Sequence, residues 1–169
     1  MADKLTANLE AVARRTAALH AASWYATYRG ILADDYLDHG LLASRRRYWR
    51  RRVLELSARE GDIFMLDIGG RDAGFVCVEI GPEPEWGALV NNLHVLPAWQ
   101  GGGFGARLLE TAAQWAVAHG RRQMYLWVYA GNRPARAFYE HLGWREMQRC
   151  LETVPGGGRR VALRMVKDL

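Results

Sequence analysis

Residues 100–105 read Gln-Gly-Gly-Gly-Phe-Gly, four glycines in six positions, between an apolar run and a helical pattern. Glycine weakens regular structure, but it lets a backbone turn freely and approach a partner closely. Bare amides at a helix start suit an anion, of which phosphate is the commonest. A nucleoside-triphosphate loop needs Lys followed by Ser or Thr after its last glycine, and Ala106-Arg107 supplies neither. Gly101, Gly103 and Ala106 fit a dinucleotide pattern, yet the ribose-binding acid about 20 residues on is missing and the alternating units are too few. A turn without a ligand leaves four glycines unexplained. The loop alone names no ligand, so its neighbours must decide.

Those neighbours alternate in period. Residues from about Ala7 to Arg29 read as a helix that Gly30 breaks, with Asp34 or Asp35 placed to cap a short turn. A second helix spans Leu41 to Arg59. After Gly61 the pattern becomes strand-like in IFMLDI and GFVCVEI, joined by the turn GGRDA, and again in ALVNNLHVL, which Pro97 ends. Beyond the glycines, Phe104, Leu108, Leu109, Ala112, Trp115 and Ala116 mark one face of a helix that Gly120 terminates. QMYLWVYA is a further strand. Pro134 suits the first turn of a helix running to Leu142, and two antiparallel strands around PGGG close the chain. Helices, then antiparallel strands, then strand–helix–strand–helix and a hairpin predict an α+β sheet rather than a doubly wound one.

At 169 residues, half of them hydrophobic and a quarter charged, the chain reads as one globular domain with a sizeable core. No run of 18 apolar residues is present, which excludes a membrane-spanning helix. The first residues, MADKLTANLE, lack the layout of a secretory signal. Cys77 and Cys150 lack metal-ligand spacing and read as free thiols of a reducing cytosol. The net charge of +5 invites a polyanion, and much of it comes from SRRRYWRRR, residues 44–52. There Leu41, Tyr48, Trp49, Val53 and Leu56 recur at helical spacing, so the arginines are expected mainly on the solvated faces. A basic stripe without a reading motif is weak support for nucleic acid.

Two segments then carry a resemblance. LHVLPAWQGGGFGARLLE, followed by LWVYAGNRPARAFYEHLGW, resembles the core of the GNAT superfamily of acyl-CoA-dependent N-acetyltransferases. Gln100, Gly103 and Gly105 match its Gln/Arg-x-x-Gly-x-Gly/Ala motif. Asn132, Ala135, Phe138, Tyr139 and Gly143 match its downstream Asn-x-x-Ala-x-x-Phe-Tyr and Leu-Gly-aromatic segment. The resemblance implies a mixed, mostly antiparallel twisted sheet flanked by helices, with a splayed central strand pair, over a single domain of residues 1–169. It also implies acetyl-CoA as co-substrate without a metal, while the missing secretory layout and the unpatterned cysteines predict a cytoplasmic protein. Gln100, Gly101, Gly102, Gly103, Phe104 and Gly105 would cradle the CoA pyrophosphate at the positive end of the following helix. Backbone at Leu93, His94 and Val95 would pair with the pantetheine arm and stabilise the developing oxyanion. Tyr139 matches the tyrosine that protonates the departing thiolate, against an alternative role in packing. Asn132 would bond the pantetheine arm, or simply cap its helix. Arg136 would face the cofactor phosphates, or water.

No general base is legible. The strand before the loop carries Asn91 and Asn92 where family members place an acid, and His94, Glu79 and Glu85 are the nearby titratable groups. Trp24 and Tyr28, four apart on one helix face, read as core packing or as walls of an acceptor pocket in which Arg29 holds a substrate carboxylate. An N-acetyltransferase acting on a small-molecule or peptide amine is the leading expectation, with a homodimer admitted and a membrane partner not. A non-catalytic acyl-CoA-binding module is the rival class, kept by the missing base.

Overall fold

The computed structural model describes residues 2–58 and 60–169. Two helices, α1 (Ala2–Thr27) and α2 (Leu41–Ala58), precede the strands β1 (Gly61–Ile68), β2 (Arg71–Ile80) and β3 (Ala88–Val95). Helix α3 (Phe104–Ala118), strand β4 (Gln123–Tyr129) and helix α4 (Arg133–His141) follow, before the closing hairpin of β5 (Arg145–Thr153) and β6 (Arg159–Asp168). All six strands join one sheet in the order β1-β2-β3-β4-β6-β5. Only β3 and β4 run parallel; every other neighbouring pair is antiparallel. The mixed sheet expected from the order of elements is therefore the one observed.

Glycine chemistry sets several of the joints. Gly69 and Gly70 both take positive φ (61° and 78°) in the two-residue turn between β1 and β2, the geometry that matches hairpin twist. The predicted first helix stops two residues early, at Thr27 rather than Arg29, because the Tyr28 carbonyl accepts from the amides of Ile31 and Leu32 and closes a turn there. Neither Asp34 nor Asp35 acts as a cap. Asp35 sits in right-handed helical backbone with no side-chain cap bond, and a π-helical turn, Tyr36–Gly40, runs directly into α2. Asp34 pairs with Arg29 instead. The expected end of the second helix at Arg59 lies outside the described residues.

One apolar cluster lies where α3 and α4 cover one face of the sheet. Leu108, Leu109, Ala112 and Trp115 meet Val76, Val78, Leu126 and Met165 there, as the α3 periodicity predicts. A second cluster forms where α1 and α2 cover β1 and β2 on the other face, with Trp49 and Phe75 at its centre. Cys77 on β2 and Cys150 on β5 are separated by three intervening strands, a span of about 19 Å at roughly 4.8 Å per strand, far beyond disulfide reach.

The joint that matters most is β3 with β4. Their pairing is confined to Ala88↔Met124 and Leu89↔Tyr125. On its other side β3 carries a bulge: Cys77 faces Asn92 and Val78 faces Val90, so Asn91 is the extra residue. A bulge bends and twists its strand, and beyond it β3 and β4 no longer pair. The splayed central pair is thus present.

Gly87 fixes where that short pairing starts. Its backbone, φ 88° and ψ −146°, is open essentially to glycine alone. A Cβ there would also sit 1.9 Å from the Gln123 carbonyl oxygen. Gly87→Ala is expected to destabilise the fold by about 3 kcal/mol, combining strained backbone with overpacking. At about 2–4 °C per kcal/mol for a chain of this size, the midpoint of thermal unfolding falls by about 6–12 °C. Circular dichroism melting checks it, and an unchanged midpoint would show that the start of β4 yields freely.

Candidate active site

The glycine loop reaches α3 through a short 3₁₀ turn, Pro97–Trp99. Gln100 then turns back: its side-chain amide donates to the Val95 carbonyl at 2.9 Å, tying the loop to the end of β3. The four glycines divide the work. Gly101 (φ 82°) and Gly103 (φ 76°) hold left-handed backbone, and a Cβ on either would enter open space. Gly105 serves packing, since its Cβ would lie 3.0 Å from the Phe138 ring, and Gly102 is crowded by the Phe104 ring. At Gly101 and Gly103, then, no atom of the chain itself excludes a side chain. Gly103 is the N-cap of α3 and offers no side-chain cap, so the first-turn amides have no intrahelical acceptor and the positive helix end faces outward.

Beside this loop the splay opens a cleft of about 1370 Å³, lined by β3 from Val90 to Val95, by Gln100, Gly101, Gly103, Phe104 and Gly105, and by β4 from Leu126 to Tyr129. Gly102 and Arg136 lie off that wall. Leu93, His94 and Val95 pair with Val76, Phe75 and Gly74 of β2 along one edge only; the other edge, facing the cleft, has no partner strand. The imidazole of His94 points instead into a buried polar knot. Its Nδ1 lies 3.0 Å from the Ser23 hydroxyl, and its ring stacks on His20 at 4.5 Å. Trp49 donates to His20 Nδ1 at 3.0 Å, which leaves the proton of a neutral His20 on Nε2, an atom with no partner among the described residues.

Helix α4 presents the remaining predicted residues. Asn132 caps it, its side chain accepting from the Ala135 amide at 3.3 Å. Burial raises the pKa of the Tyr28 phenol, and the neighbouring Asn132 side chain opposes that rise. Pro134 occupies the first turn. At the far end Gly143 (φ 84°) makes a Schellman turn: its amide donates to Glu140, and that of Trp144 to Tyr139. The Trp144 indole packs on the Tyr139 ring at 5.7 Å. The Leu-Gly-Trp segment thereby locks the carbonyl and ring of Tyr139, which is 8% exposed and borders the cleft. Burial, reinforced by nearby Tyr28, raises its phenol pKa and keeps it protonated. Arg136 donates to the Ala130 carbonyl at 3.4 Å and reaches Glu140 at 3.9 Å, so its partners belong to its own helix and the preceding turn.

The far wall of the cleft is aromatic. Trp24 and Tyr28 contact each other at 5.0 Å, and Tyr28 meets Tyr129 at 5.7 Å. Arg29 also borders the cleft but is engaged: it pairs with Asp34 at 3.0 Å and with Asp38, two carboxylates that hold its charge. The expectation for the arginine-rich helix holds for four of its six arginines and fails for two. Arg45 and Arg52 are buried, at 7% and 8% exposure, not solvated. Arg52 is neutralised by Glu79 and Glu55, whereas Arg45 lines the cleft. The signal was available, since Arg45 follows Leu41 and precedes Trp49 by four residues, on the same buried stripe. Glu152 of β5 is the one acid lining the cleft among the described residues, and nothing in its sequence context marked it. Of the base candidates, Glu79 is committed to Arg52 and Asn91, and Glu85 lies exposed in the β2–β3 loop.

Residues 17–144 match the Acetyltransferase (GNAT) family. An uncharacterized N-acetyltransferase of Methanocaldococcus jannaschii is 31% identical over 150 residues, covering 80% of this chain. The chain spans 62% of that relative's length. An uncharacterized N-acetyltransferase of Archaeoglobus fulgidus is 30% identical over 122 residues, 67% of this chain and 76% of the relative. The crystal structure of PaiA N-acetyltransferase from Thermoplasma acidophilum, in complex with coenzyme A, has a TM-score of 0.71 over 92% of this chain and 91% of that one, at 18% identity. At that identity the likeness is one of fold. No helix among the described residues is long and apolar enough to cross a membrane.

The buried histidine pair predicts an acid-sensitive fold. Desolvation, with the Arg45 charge behind it, lowers the His94 pKa from 6.5 to about 3. Desolvation and then its neighbours lower His20 too. Below pH 6.5 the unfolded chain takes up protons that the folded one refuses. Stability is therefore full above that pH and falls as the pH drops toward about 3, by about 1.4 kcal/mol per pH unit for each histidine. Urea unfolding at a series of pH values measures the slope, and His94→Gln should lower it by one histidine's share. An unaltered slope in that variant would mean His94 is already protonated in the fold.

Proposed function

The chain belongs to the GNAT acetyltransferase family, and on that footing we propose that it transfers an acetyl group from acetyl-CoA to the amine of a small molecule or peptide. The observation that carries the reading is one cleft bordered by both an unpaired strand edge, Leu93 to Val95, and the uncapped start of α3. The first suits an extended amide-bearing arm, which pairs with a strand edge as another strand would. The second suits a pyrophosphate. The donor sets thus fit coenzyme A at both ends, and left-handed Gly101 and Gly103 leave open space where side chains would otherwise project. When bound, acetyl-CoA supplies a thioester-activated acetyl group.

The chain's own residues would do the rest. Amides at the free edge of β3 are fixed in the sheet before any substrate arrives, so they can stabilise negative charge developing on a carbonyl oxygen without reorganising. Tyr139 holds its proton at Oη across the physiological range and would hand it to the departing sulfur. A phenol is a weaker acid than a thiol in water, but the burial that raises Tyr139 raises the basicity of a sulfur in the same cleft, which keeps the transfer feasible. Asn132 contributes indirectly, by fixing the start of α4.

Gly103→Asp places a carboxylate in open space at the head of α3, at a left-handed position that Asp tolerates better than most residues. The fold should survive while acetyl-CoA affinity falls about 100-fold or more, about 2.7 kcal/mol, as read by calorimetry. Unchanged affinity would return the loop to a structural role.

Screening amines with acetyl-CoA while following free thiol release tests the activity itself, and turnover by none would leave only a binding module. With an acceptor in hand, Tyr139→Phe keeps the ring and its Trp144 contact but removes the proton. We expect kcat to fall about 100-fold, within the range for a positioned acid, with affinity for acetyl-CoA kept. Wild-type kcat under conditions where chemistry limits the rate would restrict Tyr139 to packing.

A further inference from the structure

Arg45 is a buried cation without an anion. Its guanidinium lies over the rings of Trp24 at 4.6 Å and Tyr48 at 5.1 Å. Its hydrogen bonds go to hydroxyls, those of Ser44 at 3.1 Å and Tyr36 at 3.5 Å, and its Nε has no partner. No carboxylate among the described residues comes within ion-pair distance of it. Every other buried arginine in the described chain has one: Arg52 has Glu79 and Arg164 has Glu83. A charge taken out of water is normally paired, and the aromatic faces supply only part of that compensation. The cleft it lines is where an acceptor would enter.

We infer that Arg45 is the docking point for an anionic group on the acceptor, so that the acceptor class is a small amine that also bears an acid, as an α-amino acid does. The guanidinium fork matches a carboxylate or a phosphate, with two parallel hydrogen bonds to either. The lining around it is apolar and aromatic, from Trp24, Tyr28, Tyr48 and Tyr129, which suits an acceptor with an apolar body. Opposite charge is also in place for the amine. Glu152 lines the same cleft, and the Tyr129 hydroxyl feels both the Glu152 and the Arg45 charges, so a molecule carrying both signs has a counterpart for each. Arg29, to which sequence spacing would give this role, is occupied by Asp34 and Asp38. The inference takes the acceptor side of the proposed acetyltransferase as its premise, but anion binding can be measured without turnover.

The test uses ligands that cannot be acetylated: 3-phenylpropionate, 2-phenylethylphosphonate and the neutral 3-phenylpropanamide, titrated by calorimetry into the full chain with and without coenzyme A. An acid should bind at least 10-fold tighter than the amide, and the better of the two acids identifies the anion as carboxylate or phosphate-like. Arg45→Met should abolish that preference, and Arg45→Lys should keep part of it. Thermal melting separates this from a structural role, because removing an unpaired buried charge should leave the midpoint of Arg45→Met at or above wild type. Equal binding of acid and amide, no binding of either acid, or a preference surviving in Arg45→Met would each overturn the inference. In the parallel turnover assay, phenylalanine should be acetylated at least 10-fold more efficiently than phenethylamine. Acid binding without turnover of any amine would sink the proposed activity while leaving the anion site standing, whereas turnover of phenethylamine as fast as phenylalanine would sink the anion site alone.

Discussion

The parting of β3 from β4 after two residue pairs is the constraint on which the rest of the molecule depends. A sheet that loses its ladder must satisfy the freed backbone groups elsewhere, because buried unpaired amides are costly. Here the free edge faces a cleft rather than a core, so the freed groups line open space instead of lying buried. The bulge at Asn91 helps to open it, and buried polar contacts hold the bulge: the Asn91 side chain donates to Glu79 at 3.0 Å, and Glu79 is clamped by Arg52. Gln100 then pins the end of β3 by its bond to the Val95 carbonyl. Strand, bulge and loop are braced from both ends before any ligand is present.

That bracing explains why this part of the chain was legible and other parts were not. A left-handed backbone at Gly103, a proline in the first turn of α4 and a Schellman glycine at Gly143 are local requirements, written in residue types that few alternatives satisfy. Tyr139 inherits its position from them. The aromatic wall of the cleft obeys no local rule. It is assembled from α1, α2, β4 and β5, elements far apart in the chain, and its polar members look like ordinary surface residues in sequence. Arg45 sits in a run of six arginines of which four are exposed, so charge counting assigns it to solvent. Only its place on the Leu41–Trp49 stripe betrays it, and a stripe read for apolar residues passes over an arginine. Glu152 carries no signal, since alternation along β5 puts residues on both faces without saying what stands opposite.

The treatment of charge differs between the two ends of the molecule. Around the bulge, buried ions are paired and hydrogen-bonded, as with Arg52 and Glu79, or with Arg164 between the rings of Trp86 and Trp127 and bonded to Glu83. Such networks fix geometry more than they add stability. The Nε of Arg45, of Arg52 and of Arg164 alike has no partner among the described residues; what sets Arg45 apart in the aromatic wall is that no carboxylate pairs with it, as Glu79 and Glu83 pair with the other two. A buried charge without a counter-ion is costly to the fold alone, and Arg45 lies in the layer between α1, α2 and the splayed strand.

The same desolvation gives this layer its chemical character. Burial first, and neighbouring charge after it, depresses the basicity of His20 and His94, which leaves both imidazoles neutral and weakly basic at neutral pH. Burial acts in the opposite sense on Tyr139, holding its proton in place. Burial thus acts in opposite senses on the two kinds of group, keeping the phenols of Tyr28, Tyr48, Tyr129 and Tyr139 protonated and the imidazoles of His20 and His94 neutral. Under the proposed activity the amine's proton would leave by another route, and Glu152 is the acid that lines the cleft among the described residues. An acceptor oriented by its own acid group on Arg45 would have its position set by a fixed charge, so that the amine's placement does not depend on a base that the strand itself lacks.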